Sequence, residues 1–132
     1  MKKIFVCLVC LIACFACESS DDIPTDVELV GDWRLIEIYS DPGDGSGSFT
    51  AVNSQKVVTF HEDGSITSNG SLCDIGIAAD NPTSGMYSLI DSTYTANDCG
   101  FAAAYYTFEK TRNTLIVSYP CIEGCGSKFI KQ

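Results

Sequence analysis

Cations are scarce in this 132-residue chain: eight Lys and Arg stand against 17 Asp and Glu, for a formal charge of −9. A surface of that sign repels phosphate backbones and anionic headgroups, which excludes nucleic acid as a partner and argues against direct electrostatic adhesion to a membrane. Histidine occurs once, as His61. It stands beside Glu62 and Asp63, yet no motif assembles a nucleophile around it, so it reads as a turn-flanking surface residue and no catalytic group is expected. Sustained apolar spacing of 3.6 residues is missing throughout, which excludes a helical domain. The longest apolar run, Ile4 to Ala16, falls short of the about 20 residues that a spanning helix needs.

That run is the length of a signal core, for which roughly 7 to 15 residues suffice. Lys2 and Lys3 precede it, and Glu18, Ser19, Ser20, Asp21 and Asp22 follow Cys17 abruptly. A basic start, a short apolar stretch and a small residue before a cysteine resemble a bacterial lipoprotein signal. The resemblance implies residues 1–16 as a removed signal, Cys17 as the acylated first residue carrying palmitate-type chains, and a position outside the cytoplasm as an outer-membrane lipoprotein. Cys14, preceded by Leu11-Ile12-Ala13, is the alternative lipid attachment site. Without Lys2 and Lys3 the balance is 6 against 17, or −11, so the membrane is held through the lipid alone, each buried methylene contributing about 0.8 kcal/mol. Residues 17–28 are polar and acidic with Pro24 and read as a solvated tether. Residues 29–132 suffice for one domain with one core.

Within that domain nearly every segment alternates between apolar and polar residues and is bounded by turn formers, which predicts an all-β fold. Eight strands are expected: 31–39, 55–61, 65–72, 85–89, 92–97, 104–109, 114–119 and 127–131. Glu62-Asp63-Gly64, Ile90-Asp91 and Thr111-Arg112-Asn113 are tight connections and make their flanking strands antiparallel neighbours. Eight such strands expose two edges unless the first pairs with the last, so an up-and-down antiparallel eight-stranded β-barrel is predicted. Val58, Phe60, Ile66, Leu72, Tyr87, Leu89, Tyr106, Phe108, Leu115, Val117 and Phe129 are the candidate inward residues. This bulk can fill a small barrel.

Gly31-Asp32-Trp33 at the head of the first strand resembles the G-x-W signature of lipocalins. Phe60-His61-Glu62-Asp63-Gly64-Ser65-Ile66 followed by Gly85-Met86-Tyr87-Ser88-Leu89 is similar to small lipocalin-like lipoproteins of Bacteroidetes. This resemblance implies Gly31 and Trp33 at the barrel base; lipocalins also place an Arg of the last strand against that Trp, and here this chain departs from the pattern, its final strand offering only Lys128 and Lys131. The order Asn69-Gly70-Ser71-Leu72-Cys73, Gly85-x-Tyr87, Asn97-Asp98-Cys99 is similar to the META domain of outer-membrane lipoproteins. Neither family implies an enzymatic activity or a cofactor.

Besides Cys17, the exported part holds Cys73, Cys99, Cys121 and Cys125, an even number that reads as disulfides. In an up-and-down barrel the loops after the third, fifth and seventh strands meet at one end, so all four belong to one rim. Cys73 with Cys99 and Cys121 with Cys125 is the favoured pairing, and a crosswise pairing is the alternative. A four-thiolate zinc site would want paired short spacings that Cys73 and Cys99 lack, so no metal is expected. Asp41 to Ser48 is rich in Asp and Gly but lacks the acid spacing of a calcium loop, and reads as a flexible loop at the cysteine rim, where the lipocalin resemblance implies a lid over the mouth. Tyr105 and Tyr119 are candidate exposed aromatics at the rim, with cross-strand packing as the commoner alternative. The expected function is binding of a small apolar ligand or a partner protein by a monomer. The alternative is a structural or envelope-stress module whose barrel is filled.

Overall fold

The computed structural model describes residues 26, 28–97, 99–100 and 105–132. Cys14, Cys17 and most of the 17–28 tether lie outside the described residues. Nine strands form: β1 (Gly31–Ser40), β2 (Ser48–Ala51), β3 (Val57–Phe60), β4 (Ser65–Ser68), β5 (Thr83–Ser88), β6 (Thr93–Ala96), β7 (Tyr106–Thr111), β8 (Thr114–Ser118) and β9 (Cys125–Lys131). From β3 onward each pairs antiparallel with its successor, and β9 returns to β1, which closes the sheet into a barrel. On its other edge β1 is shared, Gly31 to Arg34 pairing with β3 and Glu37 to Ser40 with β2. Because β2 and β3 occupy one position in the wall, the nine strands build an eight-stranded barrel.

β2 is an addition to the predicted strands. The second half of β1 runs past the end of β3 and leaves backbone groups unpaired on that edge, and Ser48 to Ala51 supplies their partners. Predicted strand 65–72 ends four residues early, at Ser68. There the Asn69 side chain imitates one more rung: its Oδ1 accepts from Val57 N at 2.8 Å and its Nδ2 donates to Gln55 O at 2.9 Å. The chain then leaves the wall and crosses the interior, which buries Leu72 in the core.

The core is the barrel interior. Trp33, Leu35, Val58, Phe60, Ile66, Leu115 and Phe129 are all buried, on alternating positions of their strands. Phe60 contacts Tyr87 and Phe108 edge to face, with ring centroids 5.1 and 5.4 Å apart. Leu89, predicted inward, is only partly buried and packs against this cluster, because β5 has already ended at Ser88.

One end is shut by the start of β1. Trp33 Nε1 donates to Leu29 O at 2.7 Å, fixing the preceding turn across the base. Lys131 Nζ sits 4.7 Å from the Trp33 ring centroid and donates to the carbonyls of Glu28, Leu29 and Val30. This lysine thus occupies the place against the Trp that the resemblance gives to an arginine. Gly31 is required there twice over: its φ of +118° lies in the left-handed region, and a Cβ would stand 3.2 Å from Lys131 Nζ. The end of the predicted tether belongs to the same closure, since Lys110 Nζ pairs with Asp26 at 3.7 Å and Glu28 at 2.8 Å.

Candidate functional site: the crosslinked mouth

The opposite end gathers the loops 41–47, 69–82 and 119–124 together with Cys99. Two disulfides lie here, Cys73 with Cys99 and Cys121 with Cys125, with Cα separations of 5.6 and 5.8 Å. Their sulfurs are committed to each other, which leaves no thiolate set for zinc. The first bridge joins neighbouring loops across the rim, and the second closes a short loop whose tip, Ile122, is 99 % exposed.

The lid over the mouth is the loop 69–82, a correction to the expectation that Asp41 to Ser48 would cover it. That segment is instead folded back on the Asp41 carboxylate, which accepts the N–H groups of Gly43, Gly45 and Gly47 and the Tyr39 hydroxyl. These donors, Gly43 foremost, hold the Asp41 carboxyl below the usual range. With its oxygens turned onto the backbone, it does not present a calcium loop.

Beneath the lid stands Lys56, which is fully buried. It lies on the segment that links β2 to β3, and its backbone is tied to β1 through Leu35 N donating to Lys56 O. Its Nζ donates to Gly76 O at 2.8 Å and lies 3.4 Å from Asp74 O. Burial lowers its pKa to about 8, a shift that the nearby Asp74 charge opposes. Two further barrel groups reach the lid: Ser54 Oγ donates to Ile77 O at 2.6 Å and Tyr94 OH to Leu72 O at 2.7 Å. Contact is close enough that a Cβ on Gly70 would meet Ala78 O at 2.3 Å and the Lys56 stem at 3.2 Å.

Tyrosines fill the interior below. Tyr94 stacks on Tyr106 at 4.9 Å, Tyr106 meets Tyr119 edge to face at 6.0 Å, and Tyr119 OH bonds Ser127 Oγ at 3.2 Å. Burial pushes the Tyr119 hydroxyl up to about 12 and raises Tyr94 well above its ordinary value. Of the two readings open for Tyr119, exposed rim aromatic or packing partner, the second holds: it is buried, shares the parity of Leu115 and Val117 and turns inward with them. Tyr105 is 65 % exposed and does stand at the rim.

Two clefts among the described residues flank the mouth. One of about 310 Å³ runs along the outer face between Tyr39, Phe49, Ile116 and Gly126, where Lys128 Nζ sits 4.2 Å from the Phe49 ring centroid and pairs with Glu37. Another of about 310 Å³ lies beside the lid at Ser71, Asp74, Asn81 and the Cys73–Cys99 bridge. His61 is remote from all of this, at the closed end, its Nε2 2.9 Å from Thr67 Oγ1.

Lys56 and Ser54 are the site residues that the sequence reading missed. One signal was present: Ser54, Lys56, Val58 and Phe60 fall on the same face of an extended chain, so the alternation that sends Val58 inward sends Lys56 with it. A family model described as a lipocalin-like domain matches residues 29–117, more than half of the chain. No curated protein and no solved structure matches it.

Proposed function

The chain belongs to the lipocalin-like domain family, and from that premise we propose that it is an envelope-anchored binding protein of the Bacteroidetes lipoprotein type, with the disulfide-braced mouth as its working end. A lipocalin-like barrel is a binding architecture rather than a set of catalytic groups. The observation that carries the reading is the lid: barrel side chains hold the loop 69–82 over the mouth, and both disulfides lie around it. Anchoring through Cys17 suits this polarity. Asp26 and Glu28 are bound to Lys110 at the closed end, and the nine residue steps from Cys17 to Asp26 reach at most roughly 30 Å. The closed end would then face the membrane and the mouth would face away from it.

A second reading, a protein-interaction module with a permanently filled barrel, is favoured by the packed interior together with Ile122 presented on its crosslinked loop. The two separate in native mass spectrometry of the protein purified from its own envelope. A copurifying small molecule supports the binding protein, whereas a bare chain or a chain with a stoichiometric protein partner supports the interaction module. For the anchor, incorporation of an alkynyl fatty acid is expected in the wild type and in Cys14→Ala but not in Cys17→Ala. Labelling that follows Cys14 instead would contradict the assignment.

A further inference from the structure

We infer that the loop 69–82 occupies the mouth in place of a ligand, and that the ligand is a small amphipathic carboxylate whose oxygens take over the donors now bonded to the lid. The inference rests on the binding reading above and names the chemistry of its ligand. Three facts support it. Around the buried cation the barrel side chains donate and the lid accepts: Lys56 Nζ, Ser54 Oγ and Tyr94 OH meet carbonyl oxygens of Leu72, Asp74, Gly76 and Ile77, while at the lid's ends Gly70 N and Leu72 N donate to Ser68 Oγ and Thr83 Oγ1. Lys56 is a fully buried ammonium, and among the described residues no carboxylate lies within 4 Å of it. Leu72, carried by the same loop, fills the apolar space beneath these donors.

Neutral carbonyls are weak partners for a buried cation. A carboxylate would add to Lys56 a direct charge–charge attraction that the lid carbonyls lack, and it would make the now neutral bonds of Ser54 and Tyr94 charge-assisted, roughly twice as strong as before. An apolar chain attached to it would take the space vacated by Leu72, whose burial contributes about 2 kcal/mol to holding the lid. The head therefore supplies the preference and the tail restores what the displaced leucine loses. An aliphatic ammonium would meet three donors and be excluded. The acidic surface slows the approach of any anion, but the exposed charges are screened beyond about 10 Å and do not reach the enclosed Lys56.

The test is an amide NMR titration of residues 18–132, whose described core runs from Leu29 to Phe129 and closes on itself. The probes are octanoate, octan-1-ol and octyltrimethylammonium. Octanoate is expected to bind at least about tenfold more tightly than octanol, with the largest shifts in the lid and at Lys56, and octyltrimethylammonium is expected not to bind at the mouth. Lys56→Met should abolish the preference for octanoate over octanol, the two then binding within about twofold of each other. Because the wild-type comparison stands alone, poor folding of the variant would not shield the inference. Equal affinity for octanoate and octanol overturns the carboxylate and leaves the binding reading intact. Shifts confined to the outer cleft at Tyr39 and Phe49 overturn the lid. Failure of all three probes overturns this inference, and the binding reading falls separately only if the native protein also carries no small molecule.

Discussion

Lys56 gives the fold a titration signature that can be read without any ligand. Its folded pKa is about 8, against 10.5 for the ordinary group, so between those values the unfolded chain binds more protons than the folded one and stability rises with pH. Relative to Lys56→Met, the wild type should gain up to about 3 kcal/mol across that window. Tyr94 and Tyr119, whose hydroxyls stay protonated longer when folded, act in the opposite sense above their ordinary pKa and do so in both proteins. They cancel in the difference. Urea unfolding of the pair from neutral pH to about pH 10.5 checks this, and parallel curves would mean that Lys56 is hydrated. At the other end, Gly31→Ala combines a disfavoured φ with a contact on Lys131 and is expected to destabilise by about 1–3 kcal/mol. Lys131→Met leaves three turn carbonyls without their donor and should lose about 1–3 kcal/mol, read in the same unfolding assay.

Among the elements, the two disulfides differ in what they constrain. Cys73–Cys99 spans 26 residues and ties the lid to the neighbouring loop, so replacing both cysteines by serine is expected to cost about 3 kcal/mol. Cys121–Cys125 spans four, and its removal should cost about 2 kcal/mol or less. Denaturant midpoints of the two double variants give the order, and a larger loss from the short bridge would contradict it. What the sequence made legible here were the wall strands, because half-buried antiparallel strands alternate and tight turns fix their neighbours. β2 was not legible. Its four residues follow a glycine-rich loop and are extended only because the second half of β1 needs a partner. The early end of β4 was equally hidden, since Asn69 reads as a turn former and its side-chain imitation of a rung appears only in three dimensions. Nor could Lys56 be recognised as buried from residue type. Lysine is ordinarily exposed, and parity alone pointed inward.

For the molecule as a whole, closure explains why so short a domain holds together. β9 pairs with β1 along nearly its full length, which removes both edges of the main wall, while the base is sealed by Trp33, Leu29 and Lys131. The two ends thus have different chemistry: a sealed pole that meets the chain arriving from Asp26, and a braced mouth whose cover is a loop without strands of its own. Such a cover should open independently of the wall. Native-state hydrogen exchange tests this most directly. The account predicts that amides of Gly70, Leu72, Cys73 and Gly76 exchange through a local opening well below the global unfolding free energy, while those of Leu35, Leu115 and Phe129 exchange only when the barrel unfolds. Lid amides as strongly protected as the wall would contradict it, because the loop would then be a fixed part of the core rather than a removable plug.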